Sequence, residues 1–395
     1  MLIAGGGIGG LAAAIACHRA GWRVRIFEQA PGFAEVGAGL QLGPNAGRIL
    51  QDWGLGEALA AVAAFPQALQ VRRAASHQSL ATLPLGAAFK ARYGAPYATL
   101  HRADLHALLF YAVRGAGDTV LHPGTRIETL RSQGPTVAVR VARPADAADT
   151  SPDVEGDALV LADGVWSGLR AQCLPHDMPP QATGHLAYRT LLPQADLPAA
   201  LRSDEVTVWL GHRLHAVAYP VRRGEWLNLV VLAEAAAGAQ PPAGRWNAPA
   251  DPDEVARVLA QACGPLRALQ EAAPEWRRWM LCDRPPLPGP DGMAVGRIAL
   301  LGDAAHPMLP YLAQGAGMAI EDAAELQRML AMEGVEVPLQ LRRYAMHRWQ
   351  RVARVQRTAR RNARVFHARG PVQWGRDVAL RLLGPRLLDQ PWLYG

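Results

Sequence analysis

The chain has 395 residues, half of them hydrophobic, which is long enough for two lobes rather than one core. Its net charge of +7 comes from an arginine-rich composition in which Lys90 is the only lysine. This indicates a GC-rich genome rather than a nucleic-acid-binding surface. The four cysteines lack metal-ligand spacing and no apolar run approaches the ~20 residues of a membrane span, so we expect a cytoplasmic protein without a metal site or membrane span.

The N-terminus carries the pattern of a dinucleotide-binding unit. Four apolar residues precede a G-x-G-x-x-G turn, an Ala-rich helix follows, and a second strand ends at Glu28. The glycines predicted to let the backbone approach a pyrophosphate are Gly5, Gly7 and Gly10. Glu28 is predicted to hold a ribose, which FAD and NAD both contain. The first strand is short, so we expect a few natural residues to precede Met1.

A second acid distinguishes the two cofactors. The strand predicted at 298–301 ends at Gly302-Asp303, and a proline-containing loop then leads to a helix that opens at Gly315-Ala316-Gly317. The carboxylate of Asp303 can accept hydrogen bonds from a polyol, and the helix N-terminus favours an anionic group. A flavin has both features, in its ribityl chain and in its ring after reduction. An NAD site does not need this second acid, so the pattern indicates FAD.

A third segment lies between these two. An apolar strand at 158–161 is followed by Asp163-Gly164. The three segments, in this order, resemble the single-component FAD-dependent aromatic hydroxylases, which have the p-hydroxybenzoate hydroxylase fold. Residues 35–45, 101–106 and 392–395 look most like the branch containing salicylate and 3-hydroxybenzoate hydroxylases.

The resemblance implies an α/β fold with a Rossmann-like FAD-binding lobe, a β-sheet substrate lobe and C-terminal helices. In this family NADH or NADPH binds transiently and reduces FAD, and O2 then supplies one oxygen atom to a phenol ring. The chain contains no second G-x-G-x-x-G, which agrees with transient nicotinamide binding. A flavin-fold protein without turnover is the alternative from another class, and the intact Gly302-Asp303 segment argues against it. We expect a monomer or a homodimer.

The predicted parts are discontinuous in sequence. They are a FAD-binding lobe at 1–65, 98–182 and 283–345, a substrate lobe at 66–97 and 183–282, and a C-terminal helical segment at 346–395. Substrate-lobe strands are predicted at 185–192, 206–210, 214–221 and 226–232, and a helix at 254–262. The C-terminal helices are expected to break near 370–371 and 384–385. Arginines at every third position from Arg348 to Arg360 predict a solvated or interface helix rather than a phosphate-binding one.

The resemblance also assigns site residues. Further predicted cofactor contacts are Val36, Gly39, Arg102, Asp163, Pro310, Gly315, Ala316 and Gly317. The predicted substrate contacts are Gln41, His215, Tyr219 and Pro310, of which His215 and Tyr219 are the catalytic candidates. His215 would hydrogen-bond or deprotonate the phenol, with a buried structural histidine as the open alternative.

The substrate is expected to be a small phenolic acid. Salicylate is placed slightly ahead of 3-hydroxybenzoate, because Pro310 stands where the 3-hydroxybenzoate enzymes have glutamine. Gln41 stands where the similar 6-hydroxynicotinate hydroxylases have histidine, which makes that substrate a weaker alternative. The sequence leaves NADH and NADPH, and the group that binds the substrate carboxylate, undecided.

Overall fold

A computed structural model describes residues 1–33, 38–142, 153–174, 176–235 and 247–395. The chain divides into two compact units. Unit 1 comprises Met1–Val36, Ala103–Gln181 and Cys282–Ala359, and unit 2 comprises Gly37–Arg102, Ala182–Leu281 and Arg360–Gly395.

The strands within the described residues are β1 Leu2–Ala4, β2 Val24–Phe27, β3 Gly39–Leu42, β4 Ala68–Arg73, β5 Ser79–Pro84, β6 Ala98–His101, β7 Thr119–His122, β8 Arg126–Gln133, β9 Thr136–Ala142, β10 Asp153–Gly156, β11 Leu159–Leu161, β12 Gln181–Pro193, β13 Val206–Gly211, β14 Leu214–Val221, β15 Trp226–Glu234, β16 Ala248–Ala250, β17 Trp276–Asp283, β18 Ala294–Val295 and β19 Ile298–Leu300.

The α-helices are α1 Ile8–Arg19, α2 Pro44–Asp52, α3 Gly56–Val62, α4 Ala87–Tyr93, α5 Arg102–Gly115, α6 Arg170–Cys173, α7 Pro252–Val258, α8 Gly264–Glu271, α9 Gly315–Leu330, α10 Val337–Phe366, α11 Gly370–Leu388 and α12 Pro391–Tyr394. Among the described residues, no helix combines the length and apolar character needed to cross a bilayer.

Unit 1 is built on a six-stranded sheet in the order β18-β19-β11-β1-β2-β7. All its pairs are parallel except the edge pair β18–β19. The central strands β1, β11 and β19 are wholly buried and apolar, as expected of a parallel sheet covered on both faces. Because parallel strands end at the same edge, the residues that follow β1, β2, β11 and β19 collect there.

Unit 2 contains an eight-stranded sheet in the order β16-β17-β12-β15-β14-β13-β4-β5. One face carries an apolar core that includes Tyr188, Trp209 and Leu229 and is covered by buried side chains of α7 and α8. The other side, which we call the open face, carries a cross-strand row of half-buried side chains: Arg189, Val230, Val217 and Val208. Side chains that alternate along each strand therefore separate a closed core from this open face.

The unit boundaries differ from the predicted lobes. Residues 37–65 and 98–102, assigned from sequence to the FAD-binding lobe, lie in unit 2, and residues 346–359 lie in unit 1. Antiparallel pairing joins β3 to β6, and the hydroxyl of Thr99 in β6 donates a buried hydrogen bond to the carbonyl of Pro220 in β14. Through this pairing and this hydrogen bond, β3 and β6 belong to unit 2.

The break predicted near 384–385 is wrong, because α11 continues through Pro385 to Leu388. The helix packs against β5, where a Cβ atom at Gly384 would lie only 2.8 Å from Cβ of Ala81. This packing maintains a helix that proline would weaken in isolation. The break near 370 is confirmed, since α10 ends at Phe366 and α11 begins at Gly370.

Candidate functional site

The glycine turn after β1 has the close contacts that its sequence requires. Gly5 has φ of +98°, and a Cβ atom there would lie 2.4 Å from the carbonyl oxygen of Ala162. At Gly10 a Cβ atom would lie 1.9 Å from the carbonyl oxygen of Gly5. Gly7 is the N-cap of α1, whose first turn contains no acid. The turn therefore leaves a helix N-terminus suited to an anionic ligand.

Glu28 follows β2 and braces the same turn. Its carboxylate accepts hydrogen bonds from the backbone N–H of Gly6 at 2.7 Å and of Ala30 at 2.8 Å. The buried His106 ring lies 2.8 Å from the carbonyl oxygen of Gly6, which adds a second brace. Each carboxylate oxygen has two acceptor positions, so Glu28 can hold the turn and still accept a ribose hydroxyl.

Asp163 follows β11 beside this turn. A Cβ atom at Gly5 would lie 3.0 Å from Cα of Asp163. Burial raises the pKa of the Asp163 carboxyl, although hydrogen bonds from Ser167 and from the backbone lower it in part. Its Oδ1 atom is buried without a hydrogen-bond partner among the described residues. This acceptor is available to a bound group.

Asp303 lies in the short 3-10 turn Gly302–Ala304 that follows β19, and its residue is exposed. Pro310 is also exposed. The first helical residue of α9 is Gly315, where a Cβ atom would meet nothing within 4 Å; Ala316 is half-buried and Gly317 is buried. The turn, the loop and the helix N-terminus thus present a carboxylate and open backbone within unit 1.

A buried ionic network supports the Gly302–Ala304 turn. Asp322 on α9 is fully buried and accepts hydrogen bonds from the backbone N–H of Gly302 at 3.1 Å and from Nε of Arg348 at 2.7 Å. Nε2 of His306 lies 2.5 Å from the same carboxylate. Burial alone would raise the pKa of Asp322, but His306 and Arg348 outweigh it and lower the pKa to about 2.

The network continues along α10. Nη1 of Arg348 lies 2.7 Å from Glu321, and Nε of Arg351 lies 2.6 Å from the same carboxylate. Arg348 is therefore a buried interface residue of unit 1 rather than a solvated one. These contacts make Arg348 and Arg351 structural supports for the turn that carries Asp303, whereas Arg354 and Arg357 of the same run are exposed.

The unit 1 residues fit FAD by the features they present. The glycine turn has no side chains where a pyrophosphate would approach. Glu28 and Asp303 supply hydrogen-bond acceptors for two polyols. The first turns of α1 and α9 contain no acidic residue that would repel an anionic group. The buried Oδ1 atom of Asp163 adds an acceptor beside the turn. Val36 lies outside the described residues.

The remaining predicted contacts fall in unit 2. The N–H of Arg102 donates to the carbonyl of Ala38 at 2.9 Å, and the N–H of Gly39 donates to Oδ1 of Asn228 at 2.7 Å. A Cβ atom at Gly39 would lie 2.6 Å from the Tyr219 ring and 2.8 Å from Cγ of Asn228. Glycine is needed here because the protein's own β14 and β15 side chains fill the space.

Gln41 and Tyr219 come together in unit 2. The hydroxyl of Tyr97 donates to Oε1 of Gln41 at 2.7 Å, and Gln41 also hydrogen-bonds the Tyr219 side chain. Burial raises the pKa of Tyr219, so its hydroxyl stays protonated near neutral pH. Tyr219 and Asn228 are cross-strand partners, next to the Val217–Val230 row of the open face. A neutral phenol held by an amide is a suitable hydrogen-bond donor to a substrate oxygen.

His215, also on β14, contacts the C-terminal segment. Its Nδ1 lies 2.9 Å from Nε2 of His367, and Phe366 packs edge-on against its ring. Burial, with His367 and His185 nearby, lowers the pKa of His215 well below its ordinary value. Burial also lowers the pKa of His367 to about 3. Both imidazoles are thus neutral at physiological pH, and one of them donates to the other.

Sequence comparison decides the family. A model described as an FAD binding domain matches residues 1–359. The 3-hydroxybenzoate 6-hydroxylase 1 of Aquipseudomonas alcaligenes is 36% identical over 398 residues, covering 100% of this chain and 97% of that protein. This chain belongs to the FAD-dependent aromatic hydroxylases.

Other comparisons agree. The 3-amino-4-hydroxybenzoate 2-monooxygenase PtnB3 of Streptomyces platensis is 37% identical over 405 residues, covering 100% of this chain and 95% of that protein. A solved salicylate hydroxylase substrate complex superposes with a TM-score of 0.83 at 26% identity, covering 100% of this chain and 94% of that one. The hydroxylase is an FAD-dependent monooxygenase, as predicted, with NADH or NADPH as its reductant.

Several supporting residues of this aromatic hydroxylase were not predicted. Asn228 accepts a hydrogen bond from the N–H of Gly39, and Tyr97 donates one to Gln41. The rings of His367 and His215 share a third hydrogen bond. No motif contains these residues, because each pair joins chain segments more than 50 residues apart. One signal for the buried charge of Asp322 was available: Glu321 and Asp322 interrupt an otherwise small and apolar run from Gly315 to Ala324.

Proposed function

We propose that this hydroxylase acts on a phenolic acid of the 3-hydroxybenzoate class and adds the new hydroxyl opposite the existing one. The observation that carries the proposal is the placement of His215 and Tyr219 on the same face of β14, on either side of Val217. The full-length similarity to a 3-hydroxybenzoate 6-hydroxylase supports it. The balanced reaction consumes the phenolic acid, O2, NAD(P)H and a proton, and gives the dihydroxybenzoate, NAD(P)+ and water.

The open face of unit 2 supplies the substrate contacts in this proposal. The cross-strand neighbours Val217 and Val230 offer apolar surface to an aromatic ring, whereas Val208 in the same row packs against the cluster that contains Leu210 and Leu380. Tyr219 donates a hydrogen bond to a substrate oxygen, and it is oriented by Gln41. These groups accommodate a ring with polar substituents at two positions.

His215 is the proposed hydrogen-bond acceptor for the substrate hydroxyl. Its burial keeps the ring neutral, so one ring nitrogen carries no proton. If Nδ1–H of His215 donates to Nε2 of His367, the other nitrogen of His215 is the acceptor. That arrangement polarises the O–H bond of the phenol and makes the aromatic ring more electron-rich.

Unit 1 holds the cofactor in this proposal. FAD, when bound and reduced, supplies the chemistry that transfers one oxygen atom from O2 to the ring. The residues that hold it are the glycines of the N-terminal turn, Glu28, Asp163 and Asp303. The N-terminus of α9 stabilises negative charge on the reduced cofactor. Arg102, Gly39, Val36 and Pro310 remain predicted contacts.

A substrate panel tests the proposal. FAD-loaded enzyme is given 3-hydroxybenzoate, salicylate, 4-hydroxybenzoate, 3-amino-4-hydroxybenzoate or 6-hydroxynicotinate, with NADH and NADPH in turn. We expect 3-hydroxybenzoate to give 2,5-dihydroxybenzoate with one product per NAD(P)H consumed. Product identity is measured with NAD(P)H and peroxide, because an analogue can stimulate oxidation without hydroxylation.

The same panel distinguishes the alternatives. Catechol and CO2 from salicylate would replace the proposal with a decarboxylating hydroxylation, the reaction favoured by Pro310. Product from 6-hydroxynicotinate alone would establish the weaker alternative. Bound FAD with no substrate-stimulated NAD(P)H oxidation by any compound would instead support a binding protein without turnover.

We also propose that the protein acts in the cytoplasm as a monomer or a homodimer. All four cysteines are free, which agrees with a reducing compartment. Mass photometry of the FAD-loaded enzyme would give the oligomeric state, and a larger assembly would contradict this proposal.

A further inference from the structure

Three potential metal-ligating side chains converge within unit 2. His185 lies on β12, Glu234 ends β15, and His367 follows α10. His185 and Glu234 are direct cross-strand partners, and one ligand atom from each of the three residues lies within 4.8 Å of the others. Within the described part of the chain, this is the one group of three or more histidine, cysteine or carboxylate side chains with ligand atoms this close.

The donor set has a definite chemical preference. Two imidazoles and one carboxylate suit a borderline transition-metal ion such as Zn²⁺ and leave a further position for water. Ca²⁺ and Mg²⁺ prefer all-oxygen sites. His367 is buried, His185 is half-buried and Glu234 is exposed, so the group has an ordered inner ligand and an approach from solvent.

Neighbouring hydrogen bonds orient the ligands. Nε2 of His367 is engaged with Nδ1 of His215 at 2.9 Å, while Nδ1 of His367 lies 3.9 Å from Oε1 of Glu234. Arg213 holds Oε2 of Glu234 at 2.8 Å, and its N–H donates to the carbonyl of His367 at 3.1 Å. Metal-binding histidines in general use their second nitrogen in such a hydrogen bond.

We propose that His185, Glu234 and His367 bind a divalent transition-metal ion, with Zn²⁺ as the best match to the donor set. Nδ1 of His367 is the ligand atom, because Nε2 of the same ring contacts His215. All three residues belong to unit 2, and the proposed site does not depend on the identity of the aromatic substrate.

A consequence rests on the proposed function of His215. Metal on Nδ1 of His367 leaves Nε2 of that ring as an N–H donor, so Nδ1 of His215 must accept. The proton of neutral His215 then resides on its Nε2, which can no longer accept a hydrogen bond from the phenol. Zn²⁺ therefore inhibits hydroxylation by selecting the unproductive tautomer of His215.

Calorimetry with ZnCl2 tests the site on untagged, FAD-loaded enzyme freed of metals by chelator and dialysis. We expect one ion per chain, with affinity reduced at least about tenfold in His185→Asn and in Glu234→Gln. His347→Asn is the matched control, since His347 faces Glu325 at 2.6 Å on the surface and belongs to no three-ligand group in the described chain. The Zn²⁺ affinity of His347→Asn should equal that of the wild type.

Further measurements separate loss of Zn²⁺ binding from misfolding of a variant. Flavin absorbance and the melting temperature in EDTA show whether each variant is folded, and Zn²⁺ should raise the melting temperature of the wild type and of His347→Asn only. With Cu²⁺, the electron paramagnetic resonance spectrum should show coupling to two imidazole nitrogens. The proposal is overturned if Zn²⁺ does not bind stoichiometrically, or binds folded His185→Asn and Glu234→Gln as tightly as the wild type.

Inhibition is measured separately, as the ratio of product formed with Zn²⁺ to product formed with EDTA for each protein. The ratio should be low for the wild type and His347→Asn, and closer to one for the two ligand variants at the same Zn²⁺ concentration. Stoichiometric binding without inhibition would support the metal site and overturn its coupling to His215. Zn²⁺ binding is measured by calorimetry without substrate. The calorimetric result therefore tests the metal site even if the proposed reaction is not found.

Discussion

At the scale of single residues, Asp303 and His215 illustrate two ways in which position determines role. Asp303 is exposed at the end of a buried strand, where its carboxylate can meet a cofactor hydroxyl. His215 is 2% exposed and is held by a second imidazole. An exposed acid is accessible to a ligand from solvent, whereas a buried imidazole depends on a hydrogen-bond partner to define its tautomer.

Asp303→Ala should weaken FAD binding. Loss of the acceptor leaves ribityl hydroxyls without a partner, at a cost of about 1–3 kcal/mol, or roughly 5- to 150-fold in affinity. Titration of the apoprotein with FAD, followed by flavin fluorescence, measures the change. Asp291→Ala is the control, because Asp291 lies on the surface of the same unit with its side chain 81% exposed. Equal affinities in both variants would remove Asp303 from the cofactor site.

His215→Asn should lower product formation by roughly 10²-fold, because the substrate hydroxyl loses a positioned hydrogen-bond partner. Bound FAD should be unchanged, because His215 lies in unit 2 and the glycine turn lies in unit 1. Product is quantified in EDTA, which keeps metal effects out of the measurement. His347→Asn should behave as the wild type, and a His215→Asn enzyme with normal coupled hydroxylation would leave this histidine a structural role.

At the scale of elements, packing decides where helices and strands end. The helix α11 passes through Pro385 because it packs against β5 with glycine at the point of contact. The strands β3 and β6 join unit 2 although they neighbour cofactor motifs in the sequence. In α11 the packing outweighs the cost of a proline within the helix, and in β3 and β6 strand pairing outweighs proximity along the chain.

Gly384→Ala should destabilise the protein by about 1–3 kcal/mol, because the new methyl group overpacks α11 against Ala81. Gly375→Ala, in the same helix, has open space around the new atom and should stabilise slightly through helix propensity. Urea unfolding of both variants measures the difference. A Gly384→Ala variant as stable as Gly375→Ala would show that α11 does not pack tightly on β5.

At the scale of the whole molecule, the free energy of unfolding should depend on the buried charge network around Asp322. Asp322 is surrounded by His306, Arg348, Glu321 and Tyr344, which come from three segments of unit 1. Removing one partner from such a buried network leaves charge uncompensated, so Asp322→Asn should cost about 3–5 kcal/mol at neutral pH.

The pH dependence of this cost has a definite sign. The folded pKa of Asp322 is about 2, below the unfolded value of roughly 3.9, so its stabilisation is present above pH 4 and is lost as pH falls toward 2. The difference in unfolding free energy between wild type and Asp322→Asn should shrink by about 1 kcal/mol between pH 6 and pH 3. Urea unfolding at both values measures it, with Asp291→Asn as the control. A constant difference would show that Asp322 is not stabilised as the carboxylate.

The sequence alone was enough to predict which motifs of unit 1 would hold a cofactor. Local order along the chain was sufficient there, because each cofactor motif is a strand followed at once by its glycine or acid. In a parallel sheet such strand ends must meet at one edge, so Gly5, Glu28, Asp163 and Asp303 could be placed without knowing the rest of the structure. The order of three such motifs also identified the family.

Only the tertiary structure showed which residues contact His215 and His185. His367 reaches His215, and Glu234 reaches His185, across sequence gaps that carry no motif. The spacing of four cysteines predicted no metal site, and it could not reveal a group assembled from residues 185, 234 and 367. Antiparallel register and the end of a long helix bring these side chains together. Such long-range contacts depend on the packing of the whole unit, which local sequence periodicity does not encode.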